Sequence, residues 1–535
     1  MTDLSATRPR TVEAAPSPVH PPEAGPLGAL AISLSGGGYR AAAFHLGTLR
    51  LLHRTGLLQD VVGLSTVSGG SIVGMAWTVS LLDGVPFDAF DASFSSFLQR
   101  TNVIGLALDD LASRRPEHQG EMPSLIRSAA DVYADPALFG ERCLGEVLDA
   151  PPERLRLQEA IFNSTEFHTG VDFRFRRSAS PEARIGSGDY QVPRKVARHI
   201  RLADVVAASS CFPGGFEPFV FPQQFHWPRD FPLPAVLREL GPKYAAPGLP
   251  LMDGGIYDNQ GVESLLLAYE KTPAATLLIS DVSGYQENIY NVPAAPPRRG
   301  FLTLKRVVLA GWTVFLLALV SLVVLGMHAS AEHRAGELTG LDVVVYGFVS
   351  VLMLVLAGGL AWGRKMARLA ERKIHDTVGV DAWTSLRRLT VPEIISMATL
   401  RTGSLLKLTS SIFMQRVRQL VYDHVYTDEK YAGRRMANGI TVLTCDWAGL
   451  YGQHPWLKPR PVLLGKVNAA VKMGTTLWFD QDVRFQPLVE VGEASVCFVL
   501  LKHLVEDHPD HQVPGSPANG LYERLRAEWS KLNAA

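Results

Sequence analysis

Apolar residues fall in short uninterrupted runs along the first half of the chain, and glycines close them. "LGALAISLS" (27–35) is almost wholly apolar and runs into Gly36-Gly37-Gly38. Such a run predicts a strand buried on both faces. "YRAAAFHLGTLRLLHRTG" (39–56) has helical composition and stops at Gly56, a residue suited to a helix end. "DVVGLSTV" (60–67) predicts a second strand and "GGSIVGMAWTVSLL" (69–82) a second helix. Residues 27–82 therefore predict a βαβ unit with parallel strands and a right-handed crossover. Ligands bind beyond the carboxyl ends of strands in such sheets, where both glycine clusters lie.

The pattern continues less regularly. Residues 83–150 are helix-rich in composition, with a long polar loop. "RLQEAIFNSTEFHTGVDFRF" (156–175) alternates and predicts a strand or hairpin. "RLADVVAASSCFPGGFEPF" (201–219) predicts a short helix broken at Pro213, and the proline- and aromatic-rich 222–250 a surface loop or lid. "PLMDGGIYDNQGVESLLLAYE" (250–270) reads as strand end, tight turn and helix start; "ATLLISDVS" (275–283) as another buried strand. Later, "ITVLTCDW" (440–447) predicts a strand and "PLVEVGEASVCFVLLKHL" (487–504) a helix with one apolar face. No fixed-period repeat is visible.

Two stretches differ in kind. Residues 307–327 and 343–363 are each 21 residues long, mostly apolar and without a charged side chain. Each can cross a hydrocarbon core of about 30 Å. The alternative is a pair of deeply buried helices, but core helices rarely lack charge for five turns. Arg298, Arg299, Lys305 and Arg306 precede the first stretch; Arg364, Lys365, Arg368, Arg372 and Lys373 follow the second. The connecting loop has Arg334 as its only Lys or Arg, beside Glu332, Glu337 and Asp342. This asymmetry predicts a two-pass hairpin in the cell membrane, with both termini cytoplasmic. Trp312, Tyr346 and Trp362 suit the interfaces.

Composition adds limits. Lys and Arg total 52, matching Asp and Glu at 52, which argues against nucleic acid as a partner. Hydrophobic residues make up 47%, in keeping with membrane segments. Cys143, Cys211, Cys445 and Cys497 are scattered with no C-x-x-C pair, so neither a disulfide framework nor a zinc site is expected. A reducing, cytosolic setting fits the soluble part. Residues 1–26 carry six prolines (Pro9, Pro16, Pro18, Pro21, Pro22, Pro26) and no apolar run, predicting a disordered tail.

Three clusters carry candidate chemistry. Ser68 stands where the β-branched run stops and Gly69-Gly70 begins, a turn on which a serine hydroxyl can project freely. Ser65 lies inside the strand and Ser71 inside the helix. Thr66 occupies the first glycine position of the G-x-S-x-G pattern. Gly36-Gly37-Gly38 can present N–H groups to a phosphate or an oxyanion, or form a plain turn; no G-K-[ST] or G-x-G-x-x-G accompanies it. One helix and one strand separate it from Ser68, a shorter spacing than in α/β-hydrolases. Asp253 sits at a strand end before two glycines, a place for either a catalytic carboxylate or a common Asp-Gly turn. Asp258 is a rival better placed to cap the helix near Val262. His45, His424 and His454 are not placed as triad members.

The sequence resembles the patatin-like phospholipase family. The matching blocks, in family order, are "SGGGYRAAAFHLG", "STVSGGS", "FNSTEFHTG", "ASSCFPGGFEP" and "MDGGIYDNQG". The resemblance implies a three-layer α/β/α sandwich with a mostly parallel central sheet. It implies a Ser–Asp dyad, with Ser68 as nucleophile and Asp253 as base. Gly36, Gly37 and Gly38 would supply oxyanion donors, with Arg40 beside them at the substrate. No metal or cofactor is implied. The substrate class would be acyl esters of membrane phospholipids and other lipids. The expected organisation is a catalytic domain begun by residues 27–290, a hairpin with basic flanks over 300–373, and 374–535 completing the domain. The expectation is a membrane-anchored phospholipase A-type hydrolase, its domain cytoplasmic. An esterase or lysophospholipase on single-chain esters, or a membrane scaffold with an inactive domain, are the alternatives. Thr66 and the inserted hairpin depart from the family pattern. The sequence leaves the oligomeric state open.

Overall fold

The computed structural model describes residues 25–113, 123–245, 247–269, 275–283, 302–336, 339–378, 388–479 and 485–534. Nearly all of the proline-rich stretch, and Arg298 and Arg299, lie outside these residues. The chain divides into one unit of residues up to 287 together with 409–535, and a second of 288–408.

Among the described residues the first unit is built on ten strands. They are β1 (Ala29–Leu34), β2 (Val61–Val67), β3 (Glu159–Glu166), β4 (Val171–Ser178), β5 (Ile185–Gly186), β6 (Gln191–Val192), β7 (Phe219–Phe221), β8 (Leu249–Asp253), β9 (Ala275–Asp281) and β10 (Arg435–Gly439). The order is β10-β9-β1-β2-β3-β4-β5-β6, with β8 beside β3 and β7 beside β8. From β10 to β3 every pair is parallel. From β3 outward every pair is antiparallel. The sheet is therefore mixed, where a mostly parallel one was expected. The difference arises because β3 turns back through a short hairpin into β4, leaving no room for a crossover helix.

Helices cover both faces. Leu30, Ile32 and Leu34 of β1 join one core, while Ala31 joins the other, as the two-residue alternation of a strand requires. Two helices follow the first strands: α1 (Gly38–Arg54) and α2 (Gly69–Leu82). The helix Phe485–Asp507 packs along α1. A Cβ on Gly47 would lie 2.0 Å from the Val489 carbonyl, and one on Gly492 2.0 Å from that of Phe44. The two backbones thus touch through paired glycines. Arg54 reinforces the seam with a 2.9 Å ion pair to Glu493.

Several elements differ from the sequence pattern. The late strand is Arg435–Gly439, and Val442–Thr444 is a 3-10 turn. Ile440 N–H makes the last bond to Asp281, where β9 ends, so residues 440–447 have no strand to pair with. The helix Leu202–Ser209 stops four residues before Pro213. Residues 222–250 are not a bare loop: Leu233–Leu240 is helical, and Phe225, Val236 and Tyr244 are buried. Phe485–Asp507 is buried on nearly every side, not on one face, because it runs between α1 and two further helices, Pro461–Lys472 and Pro517–Ala534.

In the second unit, Leu304–Ala335 and Gly340–Val378 are continuous helices packed on one another. Stretches of both, Leu304–Ala335 and Gly340–Gly363, are long and apolar enough to cross a membrane. Both helices run beyond the apolar stretches read from the sequence. Tyr346 donates to Glu332 at 2.9 Å near the hairpin turn.

Candidate active site

β2 ends at Val67 and α2 begins at Gly69, so Ser68 alone makes the turn. Its backbone has φ 51° and ψ −120°. Among the described residues no other non-glycine residue has positive φ. Such a conformation costs on the order of 1–3 kcal/mol and persists only where the surroundings enforce it. Here they do. A Cβ on Gly69 would lie 2.0 Å from the Gly38 carbonyl, and one on Gly70 2.2 Å from that of Leu34. Glycine at both positions lets the turn seat against β1 and the glycine loop.

Asp253 ends β8, opposite Ser164 on β3. It is 4% exposed. Its carboxylate accepts the Gly255 N–H at 2.8 Å and lies within the electrostatic reach of the Ser68 side chain. Burial pushes this carboxyl up to about 6, against the downward pull of the Ser68 side chain and the Gly255 N–H. Asp258 is also raised to about 6 by burial, but its oxygens accept N–H groups of Gln260 (3.0 Å) and Glu263 (2.8 Å). It caps the helix Val262–Tyr269 and has no contact with Ser68.

The glycine loop lies across from the turn. A Cβ on Gly36 would come 3.1 Å from that of Ser68. Gly37 and Gly38 adopt φ 145° and 59°. Among the described residues no hydrogen-bond partner is seen for either N–H, and Gly38 lies against Gly69 of the turn. Gly36 differs from expectation: its N–H is bonded to the Asn259 carbonyl at 2.9 Å. It contributes close approach, not a free donor.

Arg40 is not free either. Its guanidinium donates to the carbonyls of Met473 (2.8 Å) and Val471 (3.5 Å). It ties the start of α1 to the turn after the helix Pro461–Lys472. His45 is fully buried, bonded to the Ser35 carbonyl and Ser280 Oγ, both at 3.0 Å. Burial pulls its imidazole down to about 4, so it is neutral near pH 7. It props the strand end that carries the glycine loop. His424 is exposed, and His454 packs edge-on against Trp456.

Thr66 fits because two neighbours suit it. A Cβ on Gly74 would meet Thr66 Cγ2 at 2.5 Å, so Gly74 makes the room that glycine at position 66 would otherwise provide. Its hydroxyl lies 2.8 Å from Ser71 Oγ. Sequence reasoning missed Ser209, which accepts the Ser68 N–H at 3.0 Å. The run of small hydroxyl residues in "ASSCFPGG" was the available signal. Among the described residues no group of three or more His, Cys, Asp or Glu side chains could hold a metal ion.

A serine on a strand-to-helix turn, a buried carboxylate and a glycine loop thus lie together on an α/β sandwich. Residues 32–266 match the family model of the patatin-like phospholipases, and the chain carries a domain of that family. The matched segment contains Ser68, Asp253 and the glycine loop. No match was found among curated proteins.

Proposed function

We propose that the chain is a membrane-anchored serine hydrolase of phospholipase A type working through a Ser68–Asp253 dyad. The meeting of Ser68, held at positive φ on its turn beside the glycine loop, with the buried Asp253 carboxylate that its side chain influences carries this reading. Ser68 Oγ attacks the ester carbonyl of a glycerolipid while Asp253 takes its proton. The oxyanion forms at the N–H groups of Gly37 and Gly38. Collapse expels the lysolipid alkoxide, which recovers the proton from Asp253. Water then attacks the acyl-enzyme, Asp253 again taking a proton, and the fatty acid leaves. A carboxylate held near 6 is a better base than a free one of about 3.9 and is still mostly ionised at pH 7.

The base must be deprotonated to act. Activity is therefore expected to be low below pH 5 and to rise through one ionisation near pH 6. The measurement is kcat/KM for a neutral ester across pH 4.5–8. A profile flat through this range would remove Asp253 as base.

The hairpin tethers the domain to the membrane that holds its substrate, with both termini on the cytoplasmic side. Basic residues flanking the spans would add attraction to anionic headgroups, roughly 1 kcal/mol for each near the surface. Full-length chain is expected in the membrane fraction, released by detergent and not by high salt. Fatty-acid release from mixed phospholipid bilayers should exceed release from a soluble single-chain ester. Recovery in the soluble fraction would end the anchoring claim. The opposite substrate order would favour a lysophospholipase or esterase.

A further inference from the structure

Beneath the Ser68 turn lies a buried chain of hydroxyl groups. Thr66 Oγ1 is 2.8 Å from Ser71 Oγ, which is 2.8 Å from Ser209 Oγ. The Ser209 hydroxyl donates to the Asn163 carbonyl at 2.6 Å. Thr66, Ser71 and Ser209 are all fully buried.

Counting protons orders this chain. Ser209 has one proton and spends it on Asn163. Its oxygen therefore accepts from Ser71 and from the Ser68 N–H, 3.0 Å away. Ser71 has then spent its own proton, so its oxygen is left to accept from Thr66. The carbonyl of Ile161, at 3.2 Å, is the other acceptor within reach of Thr66.

Residues 209–211 also hold the opposite partner. The Asp253 N–H donates to the Cys211 carbonyl at 2.9 Å, and the Gly254 N–H to the Ser209 carbonyl at 3.3 Å. One short segment at the end of the helix Leu202–Ser209 thus grips the backbones of both Ser68 and Asp253. The grip on Ser68 falls on the one non-glycine residue with positive φ among those described.

We propose that Ser209 is a positioning residue that sets the Ser68–Asp253 register, and that Thr66, through Ser71, orients the Ser209 hydroxyl for that task. This rests on the Ser–Asp reading. It gives Thr66 a purpose that glycine at the same position could not serve. Without the hydroxyl at 209, the Ser68 N–H has no acceptor, and the turn relaxes away from the carboxylate.

The full chain in detergent is labelled with a fluorophosphonate probe and assayed for ester hydrolysis across pH. Ser209→Ala should slow labelling and lower kcat by ~10- to 100-fold, the scale of a misplacement of up to 1 Å, with KM nearly unchanged. Its pH inflection should move upward, because the Ser68 side chain that lowers the Asp253 pKa is drawn away. Thr66→Val, which keeps the shape, should lower kcat by roughly 3- to 10-fold, and Thr66→Ser should restore it. If Ser209→Ala does not fold, the Thr66 pair carries the test. Wild-type labelling and pH profile in Ser209→Ala would overturn the proposal. So would equal losses in Thr66→Val and Thr66→Ser. Ser68→Ala separates the two readings. Labelling that persists in Ser68→Ala defeats the nucleophile itself, whereas labelling lost there but intact in Ser209→Ala defeats only the positioning role.

Discussion

Ser68→Ala is expected to lower fatty-acid release from phospholipid bilayers by roughly 10³- to 10⁶-fold, the scale seen when a hydrolase loses its nucleophile. The loss should fall on kcat, because the side chain removed is the group that forms the covalent bond. The loop N–H groups of Gly37 and Gly38 remain, so substrate still binds and a residual attack by water can persist. Neighbouring serines cannot substitute. Ser65 Oγ donates to the Gly261 carbonyl at 2.6 Å, and Ser71 is locked between Thr66 and Ser209. Alanine should cost little stability, since the backbone N–H keeps its 3.0 Å bond to Ser209 Oγ and the change removes one oxygen beside Asp253. Release is compared on equal amounts of membrane-inserted protein. Equal release from wild type and Ser68→Ala would end the nucleophile claim.

How far the sequence reached follows from where each feature's cause lies. β1, α1, β2 and α2 were legible to within about two residues because local chemistry sets them. Apolar β-formers make the strands, and glycines stop them where the backbone must turn. The same chemistry marked Ser68 and Asp253, each at a strand end followed by two glycines. β10 was not legible. "RMANG" has no β-branched residue, and what makes it a strand is the free edge of β9 (275–281), more than 150 residues earlier in the chain. The burial of Phe485–Asp507 is likewise a tertiary fact, set by Gly47 meeting it on α1. The commitment of the Gly36 N–H to Asn259 could not be read from a glycine triplet, since its partner lies beyond Asp253 on a different element. Ser209 was hidden for the same reason. The serine pair at 209–210 signals small hydroxyls but gives no sign of which one meets the Ser68 N–H until that turn is placed above it.

Gly69→Ala tests that placement most severely. An added Cβ would stand 2.0 Å from the Gly38 carbonyl oxygen and 2.8 Å from Gly38 N. These are backbone atoms, so no side chain can swing aside. The glycine loop cannot retreat, because Gly38 lies against the Thr476 carbonyl, where its own Cβ would come within 2.3 Å, and the Tyr39 N–H is bonded to that same carbonyl at 2.7 Å. The start of α2 cannot slide inward, because Gly70 already abuts the Leu34 carbonyl. The remaining movement opens the gap between Ser68 and the N–H groups of Gly37 and Gly38. A shift of about 1 Å costs near 10²-fold by misplacement, and a lost oxyanion donor about 10²- to 10³-fold. A fall in kcat of roughly 10²- to 10⁴-fold is therefore expected in protein that still inserts and folds. Gly188→Ala, whose Cβ would meet nothing within 4 Å, is the matched control and should keep its activity. Because Gly69 carries no reacting group, a large loss there, with Tm retained, would show that the distance between the two loops is itself part of the catalyst. Wild-type kcat in folded Gly69→Ala would mean that the glycine loop does not hold the oxyanion.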